Sequence, residues 1–254
     1  MAVDPAVSVR GTGHRPVTAV ALILAGGQVV SGRRSRPWQL AVLRMRPFAR
    51  ALHEAGARDG LAVWTQRYRY RGWSRDDAIS PGNADPVADA RWALAEVRRR
   101  HGNVPVAVVG HSMGGRVAVH VADDPSVAAV AALAPWITPA ETPAGFTHRS
   151  LLVAHGTLDR ITDPRASYRF AVQAREVSDR VARFELSASE HGMVVRARAW
   201  HDLVRRFVLG ELRLRPPDPA IEAAMAAPGD RGLRADWPVG CAAGRMHEPV
   251  IARR

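Results

Sequence analysis

The sequence predicts an α/β fold: a doubly wound, mostly parallel sheet of about six strands with helices on both faces. Three observations carry this. The runs Thr18 to Ala25, Leu61 to Gln66, Val104 to Gly110, Val127 to Leu133, Leu151 to Ala154 and Val181 to Leu186 are apolar, rich in β-branched residues and mostly unbroken, as expected of strands covered on both faces. The stretches between them carry helical spacing and helix start signals. Strand and helix patterns then alternate along the chain, which requires crossovers and so a parallel sheet.

Taken in order, residues 1–16 form an N-terminal extension in which Val7 to Arg10 is a candidate short edge strand. Residues 17–210 hold the alternating pattern. Helices are expected at about Pro47 to Ala55, Gly114 to Ala122 and Val194 to Leu209. Asp85 is placed to N-cap another helix with Pro86 at its first position, Val87, Ala90, Leu94 and Val97 keep its apolar face, and Gly102 follows its end. Asp163 and Pro164 repeat that start signal for a helix reaching about Ser178. Residues 211–254 are rich in Pro, Ala, Gly and Arg without a sustained period, and read as a loosely ordered or surface-wrapping tail.

Composition excludes several classes. With 254 residues and a hydrophobic fraction of 47%, the chain has enough apolar material for a core and is not expected to be disordered. No run approaches the ~18 apolar residues of a membrane span. Met1 to Pro16 lacks the apolar block of a signal peptide, so a soluble cytoplasmic protein is expected. The single cysteine, Cys241, excludes a disulfide framework. No His, Asp and Glu cluster has metal-ligand spacing, so neither metal nor cofactor is expected. The net charge is +12, and all 36 cations are arginine. Compositional bias accounts for the absence of lysine. A nucleic-acid role would rest on charge alone, without a motif, and is not expected.

The chemical signal is Gly110-His111-Ser112-Met113-Gly114, followed by Gly115, between a predicted strand and a predicted helix. A serine on a sharp turn at a strand's carboxyl end projects its hydroxyl from the sheet, and the flanking glycines let backbone approach without a Cβ clash. The Met113 N–H, at the new helix's N-terminus, would face a developing oxyanion. Such a serine needs a base, and the base an orienting acid. Asp159 follows the strand Leu151 to Ala154, and His191 follows Val181 to Leu186, so three strand ends deliver Ser112, Asp159 and His191 in that order. Asp163 competes as the acid, but its place before Pro164 suits a cap. Glu190 reads as a solvated neighbour, His155 as a brace for its loop, His111 as a packing residue, and His53, His101 and His201 as surface positions on helices.

With these residues the chain resembles the α/β-hydrolase fold serine hydrolases over roughly Val17 to Leu209. The resemblance implies Ser112 as nucleophile, Asp159 of the His155-Gly156-Thr157-Leu158-Asp159 string as acid and His191 as general base. The stretch Arg69-Tyr70-Arg71-Gly72-Trp73-Ser74 is similar to the family's Asp-x-Arg-Gly-x-Gly-x-Ser loop, with Arg69 where an aspartate is common. Leu22-Ile23-Leu24-Ala25-Gly26-Gly27 resembles the His-Gly-Gly oxyanion segment with Ala25 replacing the histidine, so that Gly27 or Gln28 would supply the second N–H. Ala134 to Ser150 is too short for the helical cap that many relatives insert, which implies an open cleft and a reduced sheet.

Ligands of open α/β sheets bind beyond the carboxyl ends of the strands. Arg33, Arg34 and Arg36 follow the first core strand and Arg67, Arg69, Arg71 and Arg75 the second, so both groups are expected to border the cleft. Trp73 and Trp136 are candidate apolar walls. The partner these features suggest is a small-molecule acyl substrate, an ester with an anionic group held by Arg34 or Arg71. A thioesterase or peptidase would use the same three residues, and a hydrolase-like binding protein would keep the fold without the chemistry.

Overall fold

A computed structural model describes residues 4–74 and 85–237. The strand β1 (Ala6–Arg10) is followed by β2 (Ala19–Leu24), a short β3 (Gln28–Val30), α1 (Leu40–Leu43), α2 (Arg46–Gly56), β4 (Leu61–Arg67) and a short β5 (Gly72–Ser74). Then come α3 (Asp85–His101), β6 (Val106–His111), α4 (Met113–His120), β7 (Val127–Leu133), β8 (Ser150–Gly156), α5 (Pro164–Arg175), β9 (Val181–Leu186), α6 (Ala197–Glu211), α7 (Pro219–Ala226) and β10 (Ala235–Asp236).

The main sheet has eight strands in the order β1-β4-β2-β6-β7-β8-β9-β10. Only β1 is antiparallel to its neighbour, with Val7 opposite Gln66. The expectation of about six strands is therefore low by the two edges, and β3 and β5 add a separate two-stranded ribbon. The six long apolar runs were legible because both their faces are buried. The candidate edge strand Val7 to Arg10 is β1, which lies half solvent-facing at one edge, whereas β10 at the other edge is only two residues long and carries no such signal.

Side-chain alternation divides the core into two layers. From β2, Ala19, Ala21 and Ile23 join Phe48 and Leu52 of α2 and Trp200, Leu203 and Phe207 of α6 on one face. Val20, Leu22 and Leu24 join Val87, Ala90 and Leu94 of α3, Val117 of α4 and Phe170 of α5 on the other. The chain leaves β2 for β4 on one side and returns to β6 on the other. The carboxyl ends of β2 and β6 thus flank the point where strand order reverses, where such sheets open a crevice.

Residues 211–237 are more ordered than their composition suggests. Asp218 caps α7 by accepting from the N–H groups of Ala220 and Ile221, and Ile221, Ala224 and Met225 are buried. Buried Arg183 donates to the Leu233 carbonyl at 2.9 Å, and Trp237 meets Phe184 edge-on at 5.2 Å. An eight-residue helix is too short to display a period, so its start signal, Asp218-Pro219, was the only local clue. Residues 238–254, including Cys241, lie outside the described residues. Asp218→Ala should lower stability by about 1 kcal/mol in urea unfolding at pH 7; an unchanged midpoint would show that α7 adds nothing to the fold.

Candidate active site

Ser112 sits between β6 and α4 with φ 56° and ψ −118°, a conformation that costs a non-glycine residue about 1–3 kcal/mol. Its surroundings hold it there. Ser112 N–H donates to the Leu133 carbonyl at 3.0 Å, and its carbonyl accepts from Gly115, Arg116 and Trp136 N–H at 3.0, 3.2 and 3.1 Å. The glycines around it are steric requirements: a Cβ on Gly114 would stand 2.5 Å from the Leu24 and Ala25 carbonyl oxygens, and one on Gly110 would strike the Gly114 backbone. This is why the sequence needs glycine on both sides of the serine.

His191 and Asp159 meet, Nδ1 lying 2.7 Å from Oδ2. Asp159 is buried and gathers donors on both oxygens. Oδ1 accepts from Ile161 and Thr162 N–H at 2.8 and 3.0 Å. Oδ2 also receives the Thr162 hydroxyl at 2.9 Å and faces His155 Nε2 at 3.2 Å. Burial alone would raise this carboxyl, but hydrogen bonds from His155, His191 and the two backbone N–H groups outweigh it and hold it well below the usual carboxylate range. A carboxylate on Nδ1 places the ring proton there, leaving His191 Nε2 with a free lone pair.

His155 extends the chain of contacts inward. With Nε2–H directed at Asp159, its Nδ1 accepts from the Ser167 hydroxyl at 2.8 Å, and burial lowers its pKa in spite of Asp159. His155 thus braces the acid itself as well as the loop. Asp163 is not a competitor for the acid's place, because it caps α5 by accepting from Arg165 N–H. Thr162 was missed in the sequence, although a threonine three residues after an aspartate is a recognisable local hydrogen-bonding pattern.

His111, beside Ser112, is buried, its Nε2 donating to the His191 carbonyl at 2.9 Å with the rings 4.7 Å apart. It therefore ties the His191 loop to the end of β6. Burial, reinforced by His191, pushes its pKa down to about 3. Gly26 approaches the same place: a Cβ built on it would lie 3.3 Å from His111 Nδ1 and 3.4 Å from Ser112 Cβ.

Of the two candidates for a second N–H, Gln28 donates to the Arg71 carbonyl at 2.8 Å and is occupied. Gly27 N–H and Met113 N–H have no acceptor among the described residues. A Cβ on Gly27 would overlap the Arg71 carbonyl and the end of the Met113 side chain, so glycine is needed for this close approach. A pocket of about 370 Å³ opens here, lined by Gly26, Gly27, Gln39, Leu40, Tyr70 and Arg71 among others.

The structure changes the reading of several other residues. Trp73 and Trp136 do not form free apolar walls. They enclose buried Arg116, whose guanidinium carbon lies 3.9 Å from one ring centroid and 4.4 Å from the other. Arg116 Nε donates to Glu141 at 2.6 Å, and Glu141 also accepts from Thr138 N–H and hydroxyl at 2.5 and 2.6 Å. Burial would raise the Glu141 carboxyl, but His120, Thr138 and Arg116 bring it down to about 2. Arg69 is likewise committed, to Asp89 at 2.5 Å and Asp85 at 3.5 Å, and Arg67 lines a separate pocket beside β1.

Arg34 and Arg71 lie together, Arg71 Nε donating to the Arg34 carbonyl at 3.2 Å, and neither has a carboxylate partner among the described residues. Arg75 lies outside those residues. Glu190 is more than a solvated neighbour: it accepts from Val194 and Val195 N–H at 2.9 and 3.3 Å. Nor are the helical histidines simply surface groups. His201 packs edge-on against Phe48 at 4.5 Å, His101 against Trp64 at 5.7 Å, and His53 Nδ1 is buried without a partner.

The comparisons agree with this architecture. The sequence model of a family described as serine aminopeptidase, S33, matches residues 43–150. Similar solved structures include the esterase Est2 from Thermogutta terrifontis with bound propionate (TM-score 0.61, 17% identity, 85% of this chain and 92% of that one). The chain has the α/β-hydrolase fold. XC6422 from Xanthomonas campestris, described as an α/β serine hydrolase without a lid, has a TM-score of 0.54 and 19% identity over 85% of this chain and 90% of its own. Est1E from Butyrivibrio proteoclasticus with ferulic acid shares this α/β-hydrolase fold at TM-score 0.58 and 13% identity, over 84% and 99%. No curated protein matches the chain in sequence.

Between pH 6 and 5 the unfolded chain protonates a histidine near pH 6.5, whereas folded His111 stays neutral down to about 3. The unfolded state therefore binds the extra proton, and stability should fall with pH by about 1.4 kcal/mol per unit from this residue alone. His111→Gln should flatten that slope in urea titrations. Arg116→Met should cost about 3–5 kcal/mol by stranding Glu141, and the double variant Arg116→Met/Glu141→Gln should recover part of the loss.

Proposed function

We propose that the protein is a serine hydrolase that cleaves a carboxylic ester through an acyl-enzyme on Ser112. The reading rests on the 2.7 Å His191–Asp159 contact, made on the loops after β8 and β9, with the His191 ring 4.7 Å from that of His111, the residue that precedes a serine held at positive φ at the sheet's switch point. In this reaction His191 Nε2 takes the Ser112 hydroxyl proton as Oγ attacks the acyl carbon. Gly27 and Met113 N–H receive the negative charge that develops on the carbonyl oxygen. Collapse breaks the ester bond, and the departing alkoxide takes the proton from His191. Water, deprotonated by the same nitrogen, then attacks the acyl-enzyme and releases the acid, returning the proton to Ser112. Asp159 stays ionised throughout and holds the imidazolium.

The substrate is an ester carrying an anionic group. Arg71 borders the pocket beside Gly27 and Arg34 adjoins it, both without a carboxylate partner among the described residues, so a carboxylate there would gain charge-assisted hydrogen bonds. The match to an aminopeptidase family favours a second reading, cleavage of an amino-terminal residue. That reaction needs an anion to hold the substrate's free ammonium, whereas the unpaired charges here are arginines and Glu190 is occupied by two backbone N–H groups.

A fluorophosphonate should label Ser112 in the native protein, and absence of the adduct would instead favour a binding protein. Ser112→Ala should abolish ester hydrolysis, and Asp159→Asn should lower kcat by about four orders of magnitude. In a panel of matched esters, Arg34→Gln and Arg71→Gln should raise KM for hemisuccinate-type esters and leave neutral esters unchanged. Equal effects on both would remove the anionic preference, and faster turnover of aminoacyl anilides than of esters would support the peptidase.

A further inference from the structure

The exposed apolar side chains are distributed unevenly. Leu40, Ile161, Val194 and Trp38 are 76, 75, 73 and 66% exposed. They lie in segments that follow β2, β8 and β9, the strands that lead into Gly26-Gly27, Asp159 and His191. Outside the segments following these three strands, no large apolar side chain among the described residues reaches half exposure. Elsewhere among the described residues Val9, Trp92, Val172 and Val177 are exposed but reach no more than 40%, so the most exposed apolar groups gather at this edge.

These segments adjoin at one edge of the sheet, which forms a rim. A Cβ on Gly192, next to His191, would stand 3.6 Å from both Arg44 Nη2 and Val194 Cγ2, so the side chain that follows α1 reaches the His191 loop. Leu158, itself more than half exposed, donates its N–H to the Ser189 carbonyl at 2.9 Å, and Ile161 N–H is bound to Asp159. The segments after β8 and β9 are therefore joined around the same histidine. The rim is also positive: Arg33, Arg34, Arg36 and Arg160 are exposed and have no carboxylate partner among the described residues. Of the acids in these segments, Asp159 is buried, Glu190 is bound to backbone, and Asp163 caps α5 and faces Arg169 at 3.5 Å.

We propose that this rim docks on an anionic lipid surface, with Trp38, Leu40, Leu158 and Ile161 entering the interfacial region and the four arginines meeting acidic headgroups. Exposed apolar groups ringed by arginine suit that occupant, since both burial and charge then contribute to binding. A second copy suits it poorly, because a two-fold contact through the rim would oppose the same arginines to one another in a chain of net charge +12. Docking would set the open cleft against the lipid, so that its ester substrate is an amphiphile presented at the interface. That last step rests on the hydrolase reading, whereas the docking itself does not.

The test is co-sedimentation of the full chain with sucrose-loaded vesicles, of phosphatidylcholine alone or with about one third phosphatidylglycerol. Ser112→Ala is run beside the wild type, and hydrolysis of a soluble short-chain ester is assayed separately. The expected result is at least tenfold stronger partitioning to the anionic vesicles, equal in wild type and Ser112→Ala. Trp38→Ser/Leu158→Ser should reduce it at least fivefold while leaving soluble-ester turnover unchanged. Failure of both proteins to sediment, or binding unaffected by the double substitution, would overturn the docking. So would a dimer in sedimentation velocity that the double substitution dissolves, with no vesicle binding. Loss of soluble-ester hydrolysis in the wild type would overturn the hydrolase reading and leave docking standing.

Discussion

The arrangement depends on the backbone of Ser112. Here β6 turns directly into α4 through one residue at positive φ, and that residue is not glycine. The Leu133 carbonyl holds its N–H, and three N–H groups converge on its carbonyl. Two of these belong to the first turn of α4 and one to the segment after β7. The turn therefore joins a strand, a helix and a neighbouring loop, and these hydrogen bonds offset its strain.

Two supports surround this turn, and they differ in kind. On one side Arg116, a turn along α4, is enclosed by Trp73 and Trp136 and neutralised by Glu141. This packing ties β5 and the β7–β8 connection to the helix that carries the serine. On the other side a polar chain runs from His191 through Asp159 and His155 to Ser167. Satisfied buried networks fix geometry, because each member loses its partner if its neighbour turns away. His111 connects the two sides by holding the His191 carbonyl beside the serine.

The charge excess divides into groups with different roles. Some arginines are structural: Arg116 and Arg183 are buried, Arg69 closes on two aspartates, and Arg180 bridges Glu211 and Glu222 at 2.7 and 2.8 Å. Others, around the carboxyl ends of the strands, have no carboxylate partner among the described residues and lie in the same segments as the most exposed apolar groups. Net charge alone does not distinguish these populations. Only the second contributes to a field that an anionic substrate or surface would meet.

The six long strands, their helices and the order Ser112, Asp159, His191 were legible in the sequence because they are local signals. An apolar run, an Asp-Pro start or a glycine-flanked serine requires no knowledge of what lies opposite. The occupation of Gln28 by the Arg71 carbonyl was not legible, nor was the burial of Arg116 between two tryptophans or the withdrawal of Arg69 into an ion pair. Each joins segments between about 20 and 63 residues apart. Periodicity and motif spacing describe one element at a time. Which polar groups are satisfied, and which remain free for a ligand, is decided only when distant elements pack together, because burial makes each hydrogen bond obligatory.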